Sequence, residues 1–330
     1  MKTAVVSMIK NEIDIIDAFL EHICSCFDVA YLCDNMSNDG TYEKIVDKAN
    51  QTGKIKVFRL DSRSQIQSVL VSYLVNSCFV DTNPDFLFLL DADEFLPFSD
   101  AAMLNTCLTS LDTELFFMNW DNMALDPSGR LINAPIYRST IQKVVICRSA
   151  KSKVGNIIVD AGNHNIKRSR RLKTKEPPFR LIHVPIRSKE QLIKKLFTGN
   201  IAMILSRENI NYHWKLLAES CFANMESIDE IALKYGVRYG ENIGIDNIMS
   251  TDVSCMQWAG PELAWLESLL ASCIISSEAD IYMHIFNSIS QCRDAACHNR
   301  DGVLYDAHGN MLKIFRLDLL SRLQHLFRVN

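Results

Sequence analysis

The stretch Phe86-Leu87-Phe88-Leu89-Leu90, followed by Asp91-Ala92-Asp93-Glu94, decides the fold class of this chain. Five consecutive apolar residues are typical of a central strand that is covered on both faces of a sheet. The acidic residues come directly after this strand, at its carboxyl end. Because ligands bind beyond the carboxyl ends of parallel strands in α/β sheets, this position predicts a functional site at Asp91 and Asp93.

The segments before this strand alternate between strand and helix patterns. Short apolar runs of strand length occupy 4–8, 29–33 and 55–60. Apolar residues recur at helical spacing between these runs, at 11–23, 41–50 and 66–79. Four strands that alternate with helices predict a mostly parallel, Rossmann-type α/β sheet with helices on both faces.

Composition narrows the class of protein. The chain has 330 residues, 48% of them hydrophobic, and a formal charge of −4, so no general attraction for nucleic acid is expected. Eleven cysteines without a CxxC pair are expected to be reduced. The short apolar run at 3–8 is too short for a signal peptide, and no run reaches the length of a membrane span. We therefore expect a cytoplasmic protein.

Polar residues follow every predicted strand. They are Lys10, Asn11 and Glu12 after the first, Asp34 and Asn35 after the second, Asp61 and Arg63 after the third, and Asp91 and Asp93 after the fourth. No GxGxxG or GxxxxGKS motif accompanies them, which argues against a dinucleotide site and a P-loop. We therefore expect Mg²⁺ or Mn²⁺, which prefers oxygen ligands, to handle the phosphates at Asp91-Ala92-Asp93. The alternative for this triplet is a solvated turn at the end of a strand.

Three motifs resemble those of the glycosyltransferase family 2-like group with the GT-A fold. They are Lys10-Asn11-Glu12, Asp34-Asn35-Met36-Ser37-Asn38-Asp39-Gly40-Thr41 and Asp91-Ala92-Asp93-Glu94-Phe95. The resemblance continues more faintly through Trp120, Lys143, His164 and His183 to Ser188, and it covers about residues 1 to 200. It implies a GT-A-like domain that binds a nucleotide-diphosphate sugar, with a UDP-sugar favoured, and that transfers the sugar to a glycan or lipid-linked hydroxyl acceptor.

The resemblance also implies roles for single residues. Asn11, Glu12 and Asp34 would line the base and ribose pocket, as part of a nucleotide-sugar site that includes Lys10, Asn35, Asp61 and Arg63. Asp91 would reach the ribose, the metal or a metal-bound water, and Asp93 would bind the metal.

Two histidines and one arginine complete the implied site. His183 is the first candidate for a further metal ligand and His164 the second, although a lone histidine is more often structural. Arg187 is a candidate diphosphate ligand, with a surface arginine before a helix as the alternative.

Inverting transfer, which the resemblance implies, needs one general base for the acceptor hydroxyl. Asp121 is the first candidate, and Asp126 and Glu94 are the alternatives. Trp120 is expected to stack on an acceptor sugar. A packed tryptophan followed by a turn carboxylate is the alternative for this pair.

The sequence pattern of the second part of the chain is mainly helical. Residues 1–188 are expected to form the catalytic domain, and 189–330 a mainly helical region with helices at 189–205, 214–234, 261–275 and 281–292. The segment 311–329 predicts an amphipathic helix that packs on its own domain or on a second subunit of a homodimer, with peripheral binding to the inner face of a membrane as the alternative. The basic run 167–175 is expected to be a solvated loop, with a loop over phosphates as the alternative.

Two other functions remain open at this point. A nucleotidyltransferase acting on sugar phosphates shares the sheet and the paired aspartates, but it usually needs a glycine-rich loop after the first strand, and residues 7–14 contain no glycine. A non-catalytic carbohydrate-binding protein with the same fold is the second alternative, and intact Asp91 and Asp93 speak against it.

Overall fold

The first four strands of the chain pair parallel with one another in one mixed sheet. The computed structural model describes residues 1–62, 66–109, 111–124, 137–187, 191, 192, 195, 240–242 and 302–315. The first strands are β1 (Thr3–Ile9), β2 (Val29–Asp34), β3 (Ile55–Asp61) and β4 (Phe86–Leu89). The helices between them are α1 (Ile16–Cys26), α2 (Thr41–Thr52) and α3 (Gln67–Thr82). Strand β1 lies between β2 and β4, and β3 follows β2.

Alternate residues of these strands pack into two separate cores. Val5, Leu32 and Phe88 face α1 and α2 in one core, whereas Val6 and Leu89 face α3 in the other. Successive side chains of a strand point to opposite faces of the sheet, so a strand that is apolar at every position requires a cover on each face. The prediction of an α/β sheet with helices on both faces is confirmed.

The remaining strands make the sheet mixed. They are β5 (Glu94–Phe95), β6 (Leu115–Ala124), β7 (Tyr137–Cys147), β8 (Thr174–Lys175), β9 (Leu181–Ile186), β10 (Gly240–Asn242), β11 (Gly302–Asp306) and β12 (Met311–Phe315). Two further helices are α4 (Ala101–Thr109) and α5 (Arg148–Val154). The described strands run in the order β12-β11-β3-β2-β1-β4-β7-β6-β9-β5, with β10 beside β7 and β8 beside β6.

The pairing of β5 with β9 positions the site. These strands are antiparallel, and Glu94 pairs with His183 in their register. The acidic loop after β4 therefore lies against β9, which is distant from it in the chain. The strand-like segment 179–182 predicts His183 at the end of a strand, but this residue lies inside β9.

Two other predictions of secondary structure are corrected. The apolar run Ile157-Ile158-Val159 predicts a further short strand, but these residues form only an isolated bridge between Val159 and Ile166. The helix expected at 311–329 is wrong for 311–315, which is β12, and the rest lies outside the described residues. The turn before β12 explains the difference, since Asp306 Oδ1 accepts hydrogen bonds from the backbone N–H groups of His308 and Asn310 (2.9 and 2.8 Å).

The predicted boundary at 188/189 and the predicted helices remain expectations. Strand β11 pairs antiparallel with β3, so the hairpin of β11 and β12 belongs to the sheet of the N-terminal part. The four helices lie outside the described residues, except that Gln191, Leu192 and Lys195 are helical. No helix in the described ranges has the length and apolarity needed to cross a membrane. The six described cysteines are free thiols.

Candidate functional site

The loops that follow β1 and β2 are tied together by side-chain hydrogen bonds. The backbone N–H groups of Asn11 and Glu12 donate to Ser37 Oγ (2.9 Å) and Thr41 Oγ1 (3.0 Å). In return, the backbone N–H of Asn38 donates to Asn11 Oδ1 (3.0 Å). Asn11 has a φ of 53°, a left-handed conformation that asparagine tolerates better than most residues. Several motif residues of these loops therefore maintain the shape of the sheet edge.

Asp34 and Asn35, at the end of β2, carry buried acceptor atoms without a partner. Asp34 is fully buried, and its Oδ2 accepts from the backbone N–H of Ser37 (3.1 Å). The Oδ1 atoms of both Asp34 and Asn35 have no hydrogen-bond partner in the part of the chain that is described. Burial raises the pKa of the Asp34 carboxyl group, against the lowering effects of Ser37 and Arg59. Buried acceptors are nearly always satisfied in proteins, so these atoms are suited to receive donors from a ligand.

Lys10 interacts electrostatically with this carboxylate. Burial lowers the pKa of the Lys10 ammonium, and the charge of Asp34 acts in the opposite direction. Asp61, the last residue of β3, is exposed and pairs in register with Val303 of β11. Arg63 lies outside the described residues.

Asp91 is held by a buried lysine of β7. Lys143 Nζ lies 2.5 Å from Asp91 Oδ2 and 3.1 Å from Glu94 Oε1, and both Lys143 and Glu94 are buried. The backbone N–H of Asp91 donates to Glu94 Oε2 (2.9 Å), and Asn163 Nδ2 donates to Asp91 Oδ1 (3.3 Å). Burial raises the pKa of Glu94 to about 8, although Lys143 acts to lower it. Asp91 is therefore fixed in place, with a third of its side chain still exposed.

Asp93 is buried among cationic and imidazole groups. Lys195 Nζ lies 2.6 Å from Asp93 Oδ2, Arg187 Nη1 lies 3.9 Å from the same oxygen, and His183 Nε2 lies 3.7 Å from Oδ1. Burial acts to raise the pKa of Asp93, but Lys195, His183 and Arg187 together hold it well below its usual value. Asp93 is thus an ionised carboxylate at neutral pH.

Arg187 is bound mainly by acidic side chains of the loop after β1, and its Nη1 also donates to the carbonyl oxygen of Val184 (3.3 Å). Its Nε and Nη2 atoms donate to the two carboxylate oxygens of Asp14 (2.5 and 2.9 Å), and Nη2 also contacts Glu12. Only 1% of the Arg187 side chain is exposed. This arginine was expected to contact a diphosphate, but here its guanidinium group ties β9 to the loop after β1.

The ring of His183 is oriented by Asn122 of β6. His183 Nδ1 lies 2.8 Å from Asn122 Oδ1, so an Nδ1–H that donates to this amide leaves the lone pair of Nε2 on the side of Asp93. Burial lowers the pKa of His183 to about 4, which keeps the ring neutral at pH 7. Metal-bound histidines usually donate their second ring N–H to such an acceptor.

The Asp93 and His183 pair fits a divalent metal. Bonds from Mg²⁺ to its ligands are about 2.1 Å long, so two ligand atoms lie at most about 4.2 Å apart. The separation of 3.7 Å between Asp93 Oδ1 and His183 Nε2 is within this limit, but adjacent ligands of octahedral Mg²⁺ lie only about 3.0 Å apart, so the two side chains would have to approach each other to bind the ion. Among the described residues, no three His, Cys, Asp or Glu side chains are grouped to hold a metal ion by themselves. Substrate phosphates and water would have to supply the remaining ligands, as is usual for Mg²⁺.

Trp120 and His164 pack beside this pair. The rings of Trp120 and His164 are stacked at 5.9 Å between centroids, and the edge of Trp120 meets His183 at 5.5 Å. Trp120 is 6% exposed, so stacking on an acceptor sugar would need a neighbouring side chain to move. His164 Nδ1 lies 2.9 Å from the carbonyl oxygen of Gln142, and no described contact joins His164 to Asp93. The geometry therefore favours His183 over His164 as a metal ligand.

Asp121, the first candidate for the general base, is paired with an arginine. Arg180 Nε lies 2.8 Å from Asp121 Oδ1, and 20% of the Asp121 side chain is exposed. Its neighbours Trp120 and Asn122 both contact His183, and side chains of a strand alternate between faces. Asp121 therefore does not contact the Asp93 and His183 pair. Asp126 lies outside the described residues.

The basic run 167–175 makes no described contact with these groups. It contains a 3₁₀ turn at Ser169–Arg171 and the short strand β8, and its basic side chains are exposed. Lys173 pairs with Asp112 at the surface (2.6 Å). The run fits the expected solvated loop.

Sequence reasoning missed several residues of the site. Asp14, Asn122 and Lys195 were assigned no role, and Lys143 was quoted in the resemblance without one. The sequence gives one indication for Lys143, because a charged residue stands directly before the apolar run Val144-Val145-Ile146 of a predicted strand. The other three carried no local signal, because their partners are distant in the chain.

Comparison with known proteins gives a weak likeness to solved glycosyltransferase structures. No protein-family model matches the sequence, and no curated protein does. Residues 1–349 of S. aureus TarS in complex with UDP-GlcNAc align with 95% of this chain and 99% of that chain, at 11% identity and a TM-score of 0.38. The mannosyltransferase PcManGT from Pyrobaculum calidifontis in complex with GDP-Man and Mn²⁺ aligns with 90% and 86%, at 13% identity and a TM-score of 0.40. Both TM-scores are below 0.5, so the function has to be argued from this chain's own residues.

Proposed function

We propose that this chain is a metal-dependent glycosyltransferase, which moves a sugar from a nucleotide-diphosphate sugar to a hydroxyl acceptor with inversion. The observation that carries the proposal is the pair of Asp93 Oδ1 and His183 Nε2, 3.7 Å apart on the sheet edge where β4 ends. Asp34 lies at the end of β2, which is separated from β4 by β1, and its Oδ1 is a buried oxygen with no hydrogen-bond partner among the described residues on the same edge of the sheet. The Asp93 and His183 pair suits a metal bound to a diphosphate, and Asp34 Oδ1 suits a nucleobase.

The protein's own residues would then bind and orient the donor. Asp34 Oδ1 would accept an N–H of the base, a charge-assisted hydrogen bond that favours a base with an imide or amide N–H, such as the uracil of a UDP-sugar. Asp91, fixed by Lys143, would face the ribose or a metal-bound water. Asp93 and His183 would hold Mn²⁺ or Mg²⁺, which supplies positive charge to the diphosphate leaving group.

Asp121 is the proposed general base for the acceptor hydroxyl, and in that role its side chain would have to leave Arg180 and turn toward the Asp93 and His183 pair, which it does not contact in this structure. It is partly exposed, whereas the alternative Glu94 is 1% exposed and is held by Lys143 and the Asp91 backbone. A proton acceptor has to come within hydrogen-bond reach of the attacking hydroxyl, which a fully enclosed carboxylate does not allow.

A thermal-shift screen tests the proposed function. The full chain is heated with UDP-, GDP-, CMP- and dTDP-sugars, each with and without Mn²⁺. A donor at a hundred times its Kd stabilises the folded state by about 2.7 kcal/mol, which raises Tm by several degrees. We expect such a rise for one base class, larger with Mn²⁺ than without it.

The Asp93→Asn variant is the internal control of this screen. It keeps the size of the side chain but removes the charge, so the Mn²⁺-dependent part of the shift should disappear while the metal-independent part remains. If no nucleotide sugar shifts the wild-type protein in either condition, the proposed function is wrong.

A further inference from the structure

We propose that Lys195 takes the place of the divalent cation at Asp93 in the free protein and moves to the donor's diphosphate when the metal binds. This inference rests on the proposed function for the identity of the diphosphate. It assigns a binding role to a residue outside the recognised motifs, and it predicts that Lys195 opposes the metal and supports the nucleotide.

Arg187 is not available for the diphosphate in this structure. Its guanidinium group is 1% exposed and is bound by Asp14 and Glu12. Releasing it would leave the buried Asp14 carboxylate without its cation, which is costly. A mobile cation for the phosphates must therefore come from another residue.

Lys195 has the properties that Arg187 lacks. Its side chain is 29% exposed, and its ammonium group lies 2.6 Å from Asp93 Oδ2 and 3.5 Å from Glu12 Oε1. A lysine head on a flexible stem is a compact point charge, so it changes partner more readily than a bidentate arginine. Lys195 therefore lies beside the proposed metal ligand and keeps contact with solvent.

A metal ion and Lys195 compete for the same carboxylate. An ion bound by Asp93 would stand within a few ångströms of the Lys195 ammonium, where like charges repel strongly in a partly buried site. Moving Lys195 away from Asp93 relieves this repulsion, and a diphosphate beside the metal offers it a new anionic partner. Metal and nucleotide should therefore each strengthen the binding of the other.

The test compares Lys195→Gln with the wild-type full chain by isothermal titration calorimetry. The first titration uses Mn²⁺ alone, and the second uses UDP and, separately, GDP at saturating Mn²⁺. The variant should bind Mn²⁺ alone about tenfold more tightly, because a competing charge is gone. It should bind the better nucleotide about ten- to hundredfold more weakly, because a hydrogen bond from a charged group is lost.

The matched control is Lys44→Gln, which removes a lysine from an exposed ion pair with Asp17 between α1 and α2 (2.8 Å) and changes no proposed ligand. It should leave both affinities unchanged. A Lys195→Gln protein whose Mn²⁺ affinity is unchanged or lower would overturn the inference, and so would unchanged nucleotide affinity. If wild-type protein binds neither nucleotide, the proposed function fails, and the titration with Mn²⁺ alone still decides whether Lys195 competes with the cation.

Discussion

Replacing Lys143 by methionine should destabilise the protein strongly, and more at high pH than at low pH. Lys143 is 2% exposed and pairs with Asp91 at 2.5 Å and with Glu94 at 3.1 Å. Methionine is similar in length but carries no charge, so Glu94, which is 1% exposed, would keep a buried carboxylate without a cation. Removing one partner of a buried ion pair costs about 3–5 kcal/mol, and we expect a loss in this range at pH 8.5.

The pH dependence follows from the raised pKa of Glu94. In the wild-type protein this pKa is about 8, above the value of 4.5 for an unperturbed glutamic acid. A group with a raised folded-state pKa binds its proton more tightly when folded, so its contribution to stability is full below pH 4.5 and is lost as pH rises toward 8. Without Lys143 the pKa of Glu94 should rise further, since the lysine acts to lower it. The variant should therefore lose less stability at pH 5, where Glu94 is protonated.

Urea unfolding at pH 5 and pH 8.5 measures these differences. Lys44→Met is the control, because its surface ion pair should contribute less than about 1 kcal/mol at either pH. Adding Glu94→Gln to Lys143→Met should restore part of the stability at pH 8.5, since the amide is neutral and its oxygen can still accept from the Asp91 backbone. Equal losses at both pH values, or a loss below 1 kcal/mol at pH 8.5, would refute the role of Lys143 as the counterion of Glu94.

Two further predictions concern the metal and the base. Asn122→Leu removes the acceptor of the His183 Nδ1–H. It should weaken Mn²⁺ affinity about 10- to 100-fold in a calorimetric titration. Unchanged affinity would show that His183 is not a metal ligand oriented by Asn122. Asp121→Asn should leave the thermal shift by donor unchanged and lower kcat for sugar transfer about 10²- to 10⁴-fold, and a variant with normal turnover would exclude Asp121 as the general base.

The parallel part of the sheet, and the edge of the sheet on which the candidate site lies, could be predicted from local sequence patterns. An apolar strand such as β4 has to be covered on both faces, and alternation with α1, α2 and α3 leaves few arrangements other than a parallel sheet. The acidic residues after β2 and β4 then meet at one edge, because parallel strands end on the same side. Asp34, Asp91 and Asp93 were therefore recognisable as candidate site residues from local pattern.

The contacts of these carboxylates depend on the tertiary structure and could not be predicted from local sequence. Asp93 meets His183 through the pairing of β5 with β9, and Lys195 approaches across 102 positions of sequence. The hairpin of β11 and β12 lies beside β3, although 311–315 has apolar residues that also fit a helix. Ion pairs and strand pairing join residues that are distant in the chain, so the short-range periodicity of the sequence does not predict them. The positions of the carboxylates after the strands could be predicted from the sequence. Their contacts could not, because the pairing of Arg187 with Asp14 and of Lys195 with Asp93 depends on how distant segments pack.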